Sequence, residues 1–239
     1  KVTVLERQEE PGGQLLLAKM PPLKEKIAWP AETLARQALQ EGAEIRYHVD
    51  ATKEIINSYQ PYAVILATGG EAIAPAIPGS DAENVVTVTP ILTGEQRYQG
   101  KKIAVIGSGM TGLETAELLQ TQGNRVTIIE MADKIAPGAY PVNADDVIGR
   151  LKKGGARFMP GRKLEQISPN QLHLSRKDGV MESIATDATV LSIGVRSRNE
   201  LEKDVSGCCD RLYVIGDAKK PGRIGDATRS AFEVAREIQ

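Results

Sequence analysis

The residues best suited to chemistry by type and spacing are Gly107, Ser108, Gly109, Met110, Thr111 and Gly112, read as GSGMTG, with Glu130 eighteen residues further on. Glycines so spaced meet three needs at a phosphate. Gly107 permits a tight turn, Gly109 lets main chain approach a pyrophosphate, and Gly112 lets a helix lie close on a strand. The bare motif is common in glycine-rich turns, so its setting decides. Ile103–Ile106 is a short apolar run suited to a buried parallel strand. Leu113 to about Gln122 presents a broad apolar helical face, ended by Gly123. Arg125–Glu130 reads as the next strand, with the acid at its end. Strand, glycine loop, helix N-terminus and acid together point to an adenine dinucleotide. Free helix N–H groups face the phosphates, and the Glu130 carboxylate accepts from the ribose hydroxyls. A carboxylate beside the 2′ position favours hydroxyl over phosphate, and Met131-Ala132-Asp133 offers no arginine, so NADH is expected over NADPH.

Other chemistry is poorly supplied. Cys208 and Cys209 are neighbours, which makes neither a disulfide framework nor a CxxC redox pair, and four cysteines for an iron–sulfur cluster are not available. The pair reads as packing or loop material. His48 and His173 fall in expected strands without a paired acid, and Asp145-Asp146 reads as a solvated helix start. No side-chain nucleophile or metal site is indicated. Thirty basic against 31 acidic residues, a net charge of -1, argues against binding driven by nucleic-acid phosphates. Apolar stretches such as Ala63 to Ala67 are too short to span a bilayer. The cysteine usage and the lack of a visible signal peptide point to the cytoplasm.

An internal repeat supplies the elements that must position these residues. Lys1–Glu6 (KVTVLE) matches Arg125–Glu130 (RVTIIE) at an offset of 124. Gly42-Ala43-Glu44-Ile45 matches Gly155-Ala156-Arg157-Phe158 at 113, and Ala63–Gly69 (AVILATG) matches Ala188–Gly194 (ATVLSIG) at 125. By the spacing of the second copy, about 24 residues of strand, glycine loop and helix are expected ahead of Lys1. Glu6 becomes the ribose-binding acid of a second dinucleotide site, its competing reading being a solvated residue at a strand end. Glu32–Gln40 after Pro30 reads as a helix, Ile45–His48 as a strand, and Gly79 to Gly100 as linker. Gln171–Ser175 and Val180–Ile184 flank Asp178-Gly179, a hairpin signal. Thr189–Ile193 is a strand with Gly194 at its end, on the nicotinamide side; Leu212–Ile215 is a last strand and Thr228–Ile238 a last helix. The fold class is α/β, with two Rossmann-like dinucleotide-binding domains, one inserted in the other. Residues 1–95 with 204–239 make a partial dinucleotide-binding domain lacking its first strand and glycine loop; 98–203 make the NAD-binding domain.

Ala67-Thr68-Gly69 and Tyr213-Val214-Ile215-Gly216-Asp217 resemble the two FAD-facing segments of two-dinucleotide-fold flavoprotein reductases. More narrowly, PGGQL at Pro11–Leu15, EMADKIAP at Glu130–Pro137 and GDAKKPGRIGDA at Gly216–Ala227 resemble NADH:flavin oxidoreductases related to old yellow enzyme, the 2,4-dienoyl-CoA reductase and enoate reductase group. The resemblance covers nearly the whole chain. It implies that the partial domain, 1–95 with 204–239, is the FAD domain, and that Gly13, Gln14, Ala67, Thr68, Gly69, Gly216 and Asp217 approach FAD. It places Ile224, Gly225, Asp226 and Ala227 near the flavin at the start of the last helix. It also implies an upstream barrel domain carrying FMN and a [4Fe–4S] cluster, which would take electrons from NADH by way of FAD. Because the cofactors carry the hydride chemistry, the protein need only bind and orient them. A second reading is a non-catalytic remnant that holds an adenine nucleotide without redox turnover. A third, a methyltransferase with a single nucleotide fold, is disfavoured by the repeat.

Overall fold

A computed structural model describes residues 1–238 and shows two compact units, one of residues 1–16, 27–71 and 195–238, the other of 17–26 and 72–194. The chain builds part of the first unit, departs at residue 71 to build most of the second, and returns at 195.

The opening passage runs β1 (Thr3–Leu5), α1 (Gln14–Ala18), α2 (Trp29–Gln40), β2 (Glu44–Arg46), α3 (Lys53–Ser58), β3 (Ala63–Leu66) and β4 (Gly70–Ala72). Pro30 sits in the first turn of α2, where its missing N–H costs nothing. The expected strand Ile45–His48 ends early: His48 has φ +58 and lies outside β2, because the chain turns there to bring the N–H of Val49 to the carbonyl of Glu6. The second passage adds β5 (Val85–Thr87), α4 (Val88–Thr93), β6 (Lys102–Ile106), α5 (Met110–Thr121), β7 (Arg125–Ile129) and α6 (Pro141–Lys153). It continues through β8 (Arg157–Met159), β9 (Arg162–Ser168), β10 (Gln171–Arg176), β11 (Met181–Ala185) and β12 (Ala188–Leu191). The return supplies β13 (Val195–Ser197), α7 (Leu201–Val205), β14 (Arg211–Val214) and α8 (Ile224–Glu237).

The second unit is a five-stranded sheet in the order β5-β12-β6-β7-β8, parallel throughout. Its strands alternate between two apolar layers, as a period of two requires. Ile103, Val105, Val126 and Ile128 pack with Leu113, Ala116 and Leu119 of α5 and Val147 and Leu151 of α6. Ala104, Ile106 and Ile129 face Leu164, Ile167, Leu172 and Leu174 of the antiparallel sheet β11-β10-β9. Each fully buried Leu or Ile here contributes roughly 1.5–3 kcal/mol. The stretch expected as linker is ordered instead: it holds β5 and α4, whose Val88, Ile91 and Leu92 lie in the core. This is why residues 72–95 group with the second unit rather than the first. Asp145 and Asp146 lie inside α6 rather than at its start, which Pro141 provides. A buried Glu117 on α5 pairs with Arg150 on α6, locking the two helices together.

The first unit has two separate parallel pairs, β1-β2 and β14-β3, and a small cluster of Ile56, Leu66 and Val205. The repeat is visible in the register. Offsets of 124 and 113 carry the pair Thr3↔Glu44 onto Thr127↔Arg157. No helix among the described residues is long and apolar enough to cross a membrane.

Candidate functional site

In the second unit β6 delivers the chain to Gly107, which has φ +98; a Cβ there would collide with the carbonyl oxygen of Ser192, just past β12. Gly112 is buried in α5, and a Cβ on it would collide with the carbonyl of Gly107. Gly107 thus turns the chain, and Gly112 lets the helix meet the loop. Gly109 is different. It is exposed, nothing lies within 4 Å of where its Cβ would be, and it is the N-cap of the twelve-residue α5 with no side chain capping it. Open space above uncapped helix N–H groups suits an anion. Met110 is half-buried and Thr111 exposed beside it.

Glu130 stands immediately after β7 and is buried, 8% exposed. Its Oε2 accepts from the Ser108 N–H at 2.9 Å and the Ser108 hydroxyl at 2.8 Å, and its Oε1 accepts from the Ala132 N–H at 2.8 Å. Ser108, grouped by sequence with the cofactor-facing loop, turns inward and is fully buried. Its hydroxyl oxygen also accepts from the Ala136 N–H at 2.9 Å. Gly194 has φ +126, and its carbonyl accepts from Ile73 N–H at 3.0 Å.

One charged pair at this site escaped the sequence reading. Lys24 Nζ lies 2.8 Å from Glu114 Oε1, with side chains 27% and 14% exposed. Glu114 follows Gly112 by two residues, and Lys24 comes from the 17–26 segment that packs with this unit. Ninety residues separate them in the chain, and no local pattern marks the partner.

The residues assigned to FAD gather in the first unit. Gln14 Nε2 donates to the Gly70 carbonyl at 3.2 Å and to Asp217 Oδ2 at 3.4 Å, while Asp217 Oδ1 accepts from Gly222 N–H at 3.0 Å. The Thr68 hydroxyl donates to the Arg198 carbonyl, and Arg198 N–H returns a bond to Gly69 at 3.0 Å. Gly216, with φ +55, packs beside Ala227 near the start of α8, and its N–H donates to Ser230 Oγ at 3.2 Å. Ala67 and Gly13 are exposed, as are Ile224 and Gly225 in the first turn of α8. Glu6 follows β1, and its Oε1 accepts from the Gln8 N–H at 2.8 Å. The anchored Asp217, open space at Gly13, Gly69 and Gly225 and the exposed start of α8 leave polar backbone accessible to a ligand.

The model of the pyridine nucleotide-disulphide oxidoreductases matches residues 2–231. The chain belongs to that family. An NADH oxidase of Thermoanaerobacter brockii is 35% identical over 242 residues, covering 100% of this chain and 37% of the relative. A cinnamate reductase of Clostridium sporogenes is 31% identical over 245 residues, covering 100% of this chain and 36% of that protein. The solved structure of a 2-naphthoyl-CoA reductase in complex with 2-naphthoyl-CoA superposes with a TM-score of 0.90 at 25% identity, covering 97% of this chain and 35% of that one. The chain thus spans little more than a third of the length of these relatives. The family name mentions a disulphide, yet Cys208 packs beside Ile56, Leu66 and Val205, and the Cys209 thiol donates to the Arg211 carbonyl at 3.1 Å. His173 sits between hydroxyls, 3.0 Å from Ser168 and 3.0 Å from Ser183.

Proposed function

We propose that this chain is the FAD- and NADH-binding module of a flavin-dependent oxidoreductase. The observation that carries this reading is the uncapped N-terminus of α5 above the open Gly109, with a buried carboxylate fixed at the end of the neighbouring strand. Gly107 through Gly112 and Glu130 would hold NADH, with Gly194, three residues past β12, lying toward the nicotinamide. Gly13, Gln14, Ala67, Thr68, Gly69, Gly216, Asp217, Ile224, Gly225 and Ala227 would hold FAD, and Glu6 its ribose. When both are bound, the cofactors would supply the redox chemistry, hydride transfer from reduced nicotinamide to flavin, while these residues hold and orient them.

The protein's own work is to bind and orient. The α5 N-terminus stabilises phosphate charge, and Glu130 accepts from a ribose hydroxyl and repels a 2′-phosphate. Gln14 and the Gly222 N–H hold Asp217 in one orientation, so its remaining lone pairs face a fixed direction. The parent protein is proposed to carry an upstream barrel with FMN and a [4Fe–4S] cluster that receives the electrons, and to work in the cytoplasm. These proposals rest on the motif resemblance and on the share of each relative that the chain leaves unmatched.

The test is reconstitution with FAD, followed by NADH oxidation with a dye acceptor. NADH-dependent dye reduction that requires bound flavin supports the module. Nucleotide binding without turnover in the flavin-loaded chain overturns it in favour of the non-catalytic remnant.

A further inference from the structure

A carboxylate offers about four acceptor directions. In Glu130 three are taken by the protein: two on Oε2 by Ser108 and one on Oε1 by the Ala132 N–H. One of these bonds has a counterpart in the first unit. The offset of 124 carries Glu6 and Gln8 onto Glu130 and Ala132, and the same bond is present there, Gln8 N–H to Glu6 Oε1 at 2.8 Å. That turn is therefore common to both copies, and in the second unit Ser108 adds two hydrogen bonds to Oε2. The Ser108 hydroxyl gives its proton to Glu130 and accepts the Ala136 N–H, and its complete burial keeps its remaining lone pair from a ligand. Ala136 itself has φ +58, a backbone conformation that needs support from its surroundings.

We propose that Ser108 is a positioning residue that sets cofactor specificity: it fixes Glu130 and the 131–136 loop so that a single acceptor direction, on Oε1, faces the ribose. The inference rests on the dinucleotide reading above and refines how the site recognises its ligand. A carboxylate open on one oxygen grips one ribose hydroxyl, not two. Held still beneath the sugar, it opposes a 2′-phosphate by position as well as by charge. Loss of the Ser108 hydroxyl removes one bond to Oε2 and strands the Ala136 N–H, freeing the carboxylate to move away from the 2′ position.

The experiment is calorimetric titration of the full chain with NADH and NADPH, comparing the parent with Ser108→Ala and Ser108→Thr. In Ser108→Ala the NADPH-to-NADH ratio of Kd falls about tenfold, as loss of one bond to a charged group implies. Ser108→Thr, which keeps the hydroxyl, stays close to the parent ratio. A ratio unchanged in Ser108→Ala, with NADH bound by the parent, overturns the role of Ser108 and leaves the dinucleotide reading standing. A parent that binds neither dinucleotide overturns that reading and the proposal with it. A second arm needs no variant. NADH lacking either the 2′ or the 3′ hydroxyl of the adenosine ribose is titrated against the parent chain. One deletion weakens binding about tenfold and the other by less than about twofold; equal losses overturn the single-acceptor site.

Discussion

The strands KVTVLE and RVTIIE carry nearly the same side chains and end in the same acid, yet they live in different surroundings. In β7, Val126 is 3% exposed and Ile128 is fully buried. Their counterparts flanking and within β1, Val2 and Val4, are 61% and 41% exposed. Each strand has a parallel neighbour in the same register, β8 for one and β2 for the other. What differs is the opposite side. There β7 pairs with β6 and β6 with β12, whereas β1 and β3 each have one neighbour among the described residues. The helices that cover the sheet follow the same division: α5 and α6 cover β6 and β7, while α8 buries none of its residues. The lesson is that burial belongs to the assembly rather than to the sequence of a strand. The local turn after the strand belongs to the sequence, since Gln8 and Ala132 make the same bond to the acid in both settings.

The largest expected effect tests that division directly. Ile128→Ala should cost the second unit about 3–4 kcal/mol, because a fully buried side chain leaves a cavity in a sheet covered on both faces. Val4→Ala, the equivalent cut in the first copy, should cost less than about 1 kcal/mol at its 41% exposure. Urea unfolding with a probe on each unit checks both, and equal losses would break the comparison. Glu117→Ala comes next, at about 2 kcal/mol, since Arg150, with its side chain only 27% exposed, loses its buried partner and keeps only the exposed Asp146. Gly107→Ala should cost about 2 kcal/mol through its positive φ and the collision with Ser192. It should also weaken NADH binding at least tenfold, because the loop must shift to relieve that contact.

Much of the second unit was legible because its signals are local. A buried strand, a glycine turn and an amphipathic helix announce themselves within thirty residues, and Asp178-Gly179 forms the hairpin it promises, with Arg176 N–H bonded to the Val180 carbonyl at 3.0 Å. The stretch 79–100 was misread because turn residues at its ends hid the run Val85 to Leu92, whose apolar side chains become core only once β12 and α5 arrive. The start of α8 at Ile224 rather than Thr228 was obscured by Gly225, a poor helix former that is tolerated in the first turn. At the site, the loop and Glu130 could be read from spacing. The inward turn of Ser108 could not, nor the Lys24–Glu114 pair, because each depends on which distant segment is adjacent.

The smallest expected effect compares two carboxylates that arginines hold in the same way, one in each unit. Glu71 is paired with Arg196 and Arg198, and Glu182 with Arg162 and Arg176. In both, the hydrogen bond from the first arginine, Arg196 or Arg162, is the leading cause that holds the carboxyl below its ordinary value. A carboxyl lowered in the folded state contributes stability above its unfolded pKa and loses it as pH falls through the folded one. Acid should therefore lower the urea midpoint of each unit, and Glu71→Gln should flatten the curve of the first alone, Glu182→Gln that of the second alone. Both groups are solvent-accessible enough for salt to screen them, so the effects should shrink in high salt. A Glu182→Gln change that also flattened the first unit's curve would show the two titrating as one body, and the contrast between buried and open copies would lose its independence.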